Sequence, residues 1–161
     1  MMAEVVLNPV DLVKKMGAFK TQGRKIVLAD GCFDLLHVGH VRYLRAAKAL
    51  GDILVLALNS DASVQRVKGP GRPLLPLEDR LGVLAAFEMV DYLTSFDEDR
   101  VDSLLSLLQP HLYAKRPGRP SIGSPSFGGH EVVVQEGADH TADKLIQEIL
   151  RKYGPLQTGN K

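Results

Sequence analysis

A chain of 161 residues, with 45% apolar and 24% charged residues, suits one well-packed domain and leaves no room for a second large one. The formal net charge of +1 excludes a general electrostatic attraction to nucleic acid or to an anionic membrane. The single cysteine, Cys32, has no internal disulfide partner, and no apolar run approaches the roughly 20 residues of a membrane span. The first residues also lack the apolar core of a secretory leader. We therefore expect a cytoplasmic protein.

Short apolar runs alternate with helical patterns along the chain. Asn8 and Pro9 predict the start of a first helix, as N-cap and first helical residue. Apolar runs predict five buried strands, at 25–30, 52–59, 91–96, 111–115 and 130–135. Apolar residues at helical spacing predict further helices, at 41–50, from 60, at 77–90, 99–108 and 142–153. Gly51 is expected to end the second helix as a left-handed cap.

This alternation predicts a single Rossmann-like α/β domain with a five-stranded parallel sheet and helices on both faces. We expect an N-terminal helix and connection at 1–24, the domain at 25–153 and a polar tail at 154–161. In such sheets ligands bind beyond the carboxyl ends of the strands. The stretch "GCFDLLHVGH" begins directly after the first predicted strand. It is therefore the expected place for a site.

Two histidines, His37 and His40, lie about one turn apart where the next helix begins. A metal site would need a third ligand, for which only Asp34 and Cys32 are near, and His-x-x-His alone is a weak zinc signal. A pair of capping or core histidines is the ordinary alternative. A phosphate site is favoured by the unpaired N–H groups and positive dipole end of a helix start, which Gly39 leaves open to a ligand. These residues alone favour phosphate and leave the other two interpretations open.

The stretch "DGCFDLLHVGH" resembles the signature of the HxGH nucleotidyltransferase superfamily, the cytidylyltransferase-like enzymes. The match includes all the defining positions, which are Gly31, Phe33, Asp34, His37, Gly39 and His40. The elements "NSD", "KGPGRP", "PLEDR" and "FDED" further resemble the adenylyltransferases of bacterial ADP-heptose synthesis. This likeness covers about 25–115 of the chain.

The resemblance implies an enzyme that joins ATP to a sugar 1-phosphate, such as heptose 1-phosphate, and gives an ADP-sugar and pyrophosphate. It implies Mg²⁺ bound with ATP, and no protein residue as a metal ligand. In many relatives a sugar kinase is fused to this domain, so here the kinase is expected as a separate protein. A homodimer is the family-level expectation.

The resemblance also implies roles for individual residues. Catalytic roles fall to His37, His40 and Lys68. Nucleotide binding falls to Gly31, Cys32, Phe33, Gly39, Lys115 and Thr141. Substrate binding falls to Asp34, Asn59 and Arg80.

The C-terminal third departs from the family pattern. Relatives continue the fourth predicted strand with Lys-Gly-Gly-Asp-Tyr, whereas this chain has "YAKRPGRPSIGSP", which keeps Lys115 and lacks the aspartate. We expect residues 116–129 to be mobile without ligand and to become ordered on ATP, with Arg116 or Arg119 taking over part of the role of that aspartate. A passive linker is the alternative.

A second departure lies before the last helix. Relatives have Gly-x-Ser-Thr-Thr there, and this chain has "EGADHTADKLIQEI", in which Thr141 keeps a hydroxyl. Asp139 or Thr141 is expected to cap the helix. These changes keep two alternatives open: a CTP-dependent transferase acting on a polyol phosphate such as glycerol 3-phosphate, and a nucleotide-binding partner subunit with weakened catalysis.

Overall fold

Six parallel strands form one central sheet in a computed structural model, which describes residues 2–120, 127–135, 137 and 141–154. The strands are β1 (Glu4–Val5), β2 (Ile26–Gly31), β3 (Ile53–Asn59), β4 (Tyr92–Phe96), β5 (Leu112–Lys115) and β6 (His130–Val133). Their order across the sheet is β1-β4-β3-β2-β5-β6, and every neighbouring pair is parallel. The predicted parallel α/β fold is confirmed.

The predicted number of five strands is wrong, because β1 adds a sixth at the edge of the sheet. β1 pairs with β4 through only two residues, Glu4 opposite Tyr92 and Val5 opposite Leu93. A two-residue strand is too short to show a period in the sequence, and only its partner strand defines it.

Six helices connect and cover these strands. They are α1 (Pro9–Thr21), α2 (Val38–Ala49), α3 (Asp61–Lys68), α4 (Leu77–Ala85), α5 (Asp102–Leu108) and α6 (Ala142–Tyr153). The Asn8 side chain caps α1 by accepting from the Val10 N–H at 2.9 Å, as the sequence predicts. Two helices are shorter than predicted: α4 ends at Ala85, five residues early, and α5 begins at Asp102, three residues late.

Helices lie on both faces of the sheet, and the two inner strands are buried throughout. Every residue of β2 and β3 is buried, as their continuous apolar runs predict. Successive residues alternate between the faces: Val27 belongs to the core under α2 and α4, and Leu28 to the core under α1 and α5. The domain is therefore a three-layer α/β structure with two cores.

The strand order reverses between β2 and β5. From β2 the chain builds β3 and then β4 on one side, and it returns to place β5 and β6 on the other. The carboxyl ends of β2 and β5 therefore meet at a topological switch point, which is where open α/β sheets bind ligands.

The glycine after α2 has a different role from the predicted one. Gly51 does not adopt a left-handed conformation; α2 ends at Ala49, and its C-cap residue Leu50 has a right-handed helical conformation. A Cβ at Gly51 would lie 2.9 Å from the Lys25 carbonyl oxygen and 2.7 Å from Val27 Cγ2. The glycine is needed because the chain passes close to the start of β2.

None of the helices in the described ranges has both the length and the apolar character needed to cross a membrane. Residues 155–161, which make up most of the predicted polar tail, lie outside the described residues.

Candidate active site

The turn from β2 into α2 brings the histidine pair to the switch point. Phe33, in this turn, has a φ of 50°, a left-handed conformation that is uncommon for a bulky residue. Its ring is buried and lies 5.0 Å from the His40 ring, centroid to centroid. The β2–α2 connection thus places the Phe33 ring against the first turn of α2.

Both histidines form the N-terminal cap of α2 through their Nδ1 atoms. His37 Nδ1 accepts from the Gly39 N–H at 3.1 Å, and His40 Nδ1 accepts from the His37 N–H at 3.2 Å. The two ring centroids are 4.0 Å apart. Since Nδ1 is an acceptor in each ring, the neutral imidazole carries its proton on Nε2, which is then a donor. The capping interpretation and the phosphate interpretation are therefore compatible.

His40 is held neutral at physiological pH. Burial lowers its pKa from 6.5 to about 3, helped by the nearby charges of His37, Arg116 and Lys68. A neutral ring with a fixed tautomer offers one N–H donor in a constant direction. Such a group can stabilise charge that develops on a phosphoryl oxygen.

A cleft of about 210 Å³ opens above this helix start. It contains seven of the predicted site residues: Cys32, Phe33, Asp34, His37, His40, Lys68 and Thr141. Arg72, Arg116, Ala142 and Asp143 complete its lining. Residues from the β2–α2 turn, from the end of α3 and from the start of α6 thus meet at one point.

Asp34 lies in the cleft wall, with its carboxylate occupied by protein groups. It accepts from the Leu74 and Leu75 N–H groups at 2.7 to 2.9 Å and from Arg72 Nε at 2.8 Å. Burial acts to raise the pKa of Asp34, but these hydrogen bonds and the Arg72 charge lower it below its usual range. Asp34 therefore fixes the loop after α3, and the structure gives no support for direct substrate binding.

Arg80 lies outside the cleft lining, and the substrate-binding role that the resemblance implies stays a prediction. Its side chain is fully buried. It donates to the carbonyl oxygens of Cys32 at 2.7 Å, Asn59 at 2.9 Å and Leu75 at 3.1 Å, and to Asp61 Oδ1 at 2.7 Å. This guanidinium ties together three chain segments, and its geometry supports a structural role.

Asn59 ends β3 and is also absent from the cleft lining. Its Nδ2 donates to Ser63 Oγ at 2.9 Å, and its Oδ1 is buried without a hydrogen-bond partner. Lys115, at the end of β5, is buried beside Glu131 Oε2 at 3.3 Å. Neither residue is among those that line the cleft, and their predicted binding roles stay predictions.

Two of the predicted glycines lie close to the site. Gly39 is buried in the first turn of α2 and donates to His37. A Cβ at Gly31 would lie 2.6 Å from Arg116 Nη2 and 2.7 Å from Phe33 Cε2. Gly31 is therefore required by the side chains that pack over it.

Arg72 is a lining residue that the sequence did not single out. Its side chain is only 11% exposed and bridges Asp34 and Asp143, the latter at 3.0 Å. On a glycine-proline loop an arginine is ordinarily solvated, and its buried partner lies 38 residues away, so no local pattern reveals the pair. Asp143, in the first turn of α6, was likewise not predicted.

The start of α6 is capped as predicted by one of the two candidates. Thr141 Oγ1 accepts from the Lys144 N–H at 3.2 Å. The other candidate, Asp139, and residues 121–126 of the predicted mobile loop lie outside the described residues.

Within the described part of the chain, no group of three or more His, Cys, Asp or Glu side chains is arranged to hold a metal ion. Hydrogen bonds within the protein explain why the candidate metal ligands of the sequence analysis would not hold a metal ion. His37 and His40 direct Nδ1 to backbone N–H groups, and Asp34 is bonded to Arg72.

A parallel α/β sheet with a cleft at its switch point places this chain among the open α/β proteins, which bind ligands at that point. The chain belongs to the cytidylyltransferase-like family, whose model matches residues 28–155. The predicted enzyme class, a nucleotidyltransferase, is confirmed by this match.

Two curated relatives are similar over most of this chain. "Bifunctional protein HldE" of Geobacter sulfurreducens is 42% identical over 147 residues, which is 86% of this chain and 30% of the relative. The protein of the same name from Geobacter metallireducens is 45% identical over 143 residues, which is 85% of this chain and 29% of the relative. The chain thus spans about 30% of the length of these relatives.

A solved structure shares the fold. The lipopolysaccharide core biosynthesis protein from Thermoplasma volcanium matches with a TM-score of 0.63 and 22% identity. The match covers 70% of this chain and 98% of that one.

Proposed function

We propose that this chain transfers the adenylyl group of ATP to a sugar 1-phosphate of the heptose 1-phosphate type, giving an ADP-sugar and pyrophosphate. One observation carries the proposal: two histidines with Nε2 donors meet Lys68, Arg72 and Arg116 in one cleft at the N-terminus of α2. The family match and the sequence resemblance to ADP-heptose adenylyltransferases support the choice of reaction and substrate.

In this reaction a phosphate oxygen of the acceptor attacks the α-phosphorus of ATP. A new P–O bond forms, the bond from the α-phosphorus to the bridging oxygen breaks, and pyrophosphate leaves with that oxygen. No proton has to move to an ionised acceptor phosphate. The protein therefore acts through positioning and charge stabilisation, as is general for such transfers.

His40 donates from Nε2 to an oxygen on the reacting phosphorus, and His37 donates beside it. Their donors are in place before the reaction because the α2 backbone fixes both rings through Nδ1. Donors that need no reorganisation are the most effective way to stabilise a charged transition state.

Lys68 is the last residue of α3 and is exposed at the mouth of the cleft. Gly69 and Gly71 follow it with positive φ values of 98° and 81°, conformations that glycine adopts without strain. We assign to Lys68 the neutralisation of charge on the triphosphate, which a point charge on a flexible stem suits.

The divalent metal fits this cleft as part of the bound nucleotide. Both lining carboxylates, Asp34 and Asp143, are bonded to Arg72, so phosphate oxygens and water are the expected ligands of Mg²⁺. Bound there, Mg²⁺ supplies charge neutralisation on the triphosphate.

The relatives are named bifunctional and are about three times longer than this chain, so a further activity belongs to their remaining length. We propose that a separate sugar kinase supplies the acceptor phosphate to this chain in the cytoplasm, where ATP is available. A homodimer stays a prediction.

Pyrophosphate release tests this function. Each nucleoside triphosphate is combined with a panel of sugar 1-phosphates and with glycerol 3-phosphate. Fast release only with ATP and a heptose 1-phosphate-like acceptor is the expected result. Preference for CTP and glycerol 3-phosphate would establish the polyol alternative, and binding without release for any pair would identify a partner subunit.

A further inference from the structure

Arg116 lies at the switch point of the sheet because of strand register. β5 and β2 are parallel, and Ala114 is the register partner of Ala29. Arg116 follows Ala114 by two residues, as Gly31 follows Ala29. The two residues therefore lie side by side at the switch point.

The Arg116 guanidinium is fixed on an aromatic surface. Its Cζ lies 5.7 Å from the centroid of the Phe33 ring and 5.6 Å from that of Tyr43. Cation–π contacts of this kind attract a guanidinium to the face of an aromatic ring. Gly31 leaves the space that the guanidinium occupies, since a Cβ there would lie 2.6 Å from Nη2.

The aromatic rings are themselves rigid. Phe33 and Tyr43 are buried, and the Tyr43 hydroxyl donates to the Ala114 carbonyl oxygen at 2.5 Å. A planar guanidinium held on such a surface presents its N–H groups in a fixed fork. That fork matches the geometry of phosphate oxygens.

The charges around the cleft favour an anion next to Arg116. Among the described residues, the lining includes the cations Lys68, Arg72 and Arg116 and the carboxylates Asp34 and Asp143. Arg116 is also close enough to His40 to contribute to its low pKa. A ligand near His40 therefore meets positive charge from Arg116.

The other candidate from the same loop lies elsewhere. Arg119 Nη1 is 3.9 Å from Asp30 Oδ2, and both residues line a separate, smaller cavity with Arg100 and Tyr113. Of the two arginines that the sequence left as alternatives, the structure puts only Arg116 in the lining of the cleft.

We propose that Arg116 is a nucleotide-positioning residue that binds the phosphate chain of the triphosphate, where relatives use an aspartate in the same segment. This inference rests on the proposed function and identifies the Arg116 guanidinium as a group that binds the phosphates. An arginine recognises phosphate oxygens and offers no acceptor to a base. Arg116 therefore contributes to phosphate binding and not to selection of the base.

Calorimetric binding of ATP, CTP, AMP and pyrophosphate to the full chain tests the proposal. Replacing one charged phosphate contact costs about 1.5–3 kcal/mol, so Arg116→Met should weaken ATP, CTP and pyrophosphate binding about 10- to 100-fold. AMP keeps the α-phosphate, to which His40 donates in the proposed reaction, so it should also bind more weakly. Arg116→Lys should restore part of the affinity, because it keeps the charge and loses the fork.

Arg119→Met is the matched control, with the same residue type in the same loop, and it should leave all four affinities unchanged. An NMR titration adds a second readout: the pKa of His40 should rise in Arg116→Met, because a neighbouring cation is removed. A merely structural Arg116 would lower the melting temperature and raise the pKa of His40 without the loss of nucleotide affinity.

Unequal losses for ATP and CTP, or unchanged affinities in Arg116→Met, would overturn the proposal. Its failure is separate from that of the proposed function. A wild-type chain that binds ATP through Arg116 but transfers to no acceptor would refute the transferase function and support this inference. A chain that transfers normally without Arg116 would refute this inference alone.

Discussion

For Arg80, the family resemblance and the structure support different roles, and a substitution can distinguish them. Family resemblance implies that Arg80 holds the acceptor phosphate, whereas the structure buries it completely. Its guanidinium donates to three carbonyl oxygens, those of Cys32, Asn59 and Leu75, and to Asp61. We expect Arg80→Met to destabilise the fold.

The size of the effect follows from these contacts. Hydrogen bonds from a charged donor contribute about 1.5–3 kcal/mol each, but they are not additive, and water can reach the half-exposed Asp61. Breaking a buried charged network typically costs about 3–5 kcal/mol. For a chain of this size each kcal/mol lowers the melting temperature by about 2–4 °C, so a decrease of roughly 10 °C is expected.

Thermal and urea unfolding followed by circular dichroism measures this difference. Arg45→Met is the matched control, since Arg45 is exposed on α2 and such a substitution changes stability by less than about 0.5 kcal/mol. An Arg80→Met protein that melts within about 2 °C of wild type yet has lost turnover would refute the structural role. It would restore the role in substrate binding.

Three further predictions follow from the site and the fold. The pKa of His40 is near 3 in the fold and 6.5 ordinarily, so its neutral form stabilises the fold fully above pH 6.5 and progressively less as the pH falls towards 3. Its NMR signal should not titrate between pH 5 and 8, and a midpoint near 6.5 would contradict this. Lys68→Ala should lower turnover strongly in the pyrophosphate assay and leave the melting temperature unchanged, since Lys68 is exposed; lost stability with a normal rate would reject its catalytic role. Gly51→Ala should destabilise by more than about 1 kcal/mol in urea, because its Cβ would meet a backbone oxygen at 2.9 Å, and an unchanged midpoint would disprove that contact.

Local patterns were enough to predict most of the fold. β2 and β3 are continuous apolar runs, and burial on both faces is what such runs predict. Asn8 and Thr141 cap their helices through ordinary side-chain hydrogen bonds. β1 was not predicted because two residues are too few to show an alternating pattern. They form a strand only because they pair with the edge of β4.

The residues of the β2–α2 turn were predicted from a local pattern and Lys68 and Thr141 from the family resemblance, whereas Arg72 was missed. The β2–α2 turn supplies His37 and His40 within ten residues. Arg72 and its partner Asp34 are 38 residues apart, and Arg80 donates to a carbonyl oxygen 48 residues away. Whether an arginine is buried depends on contacts between residues that are distant in sequence, and the periodicity of a single sequence does not predict such contacts.

Label transfer tests the central claim, that this cleft moves a nucleotidyl group. The chain is incubated with a heptose 1-phosphate-like acceptor and ATP labelled with ³²P at either the α- or the γ-phosphate. The account predicts that the α-label appears in the sugar product and the γ-label in pyrophosphate, and that His40→Ala slows both by about 10²–10³-fold. A γ-label on the acceptor, or α-label that never becomes attached to it, would contradict the account.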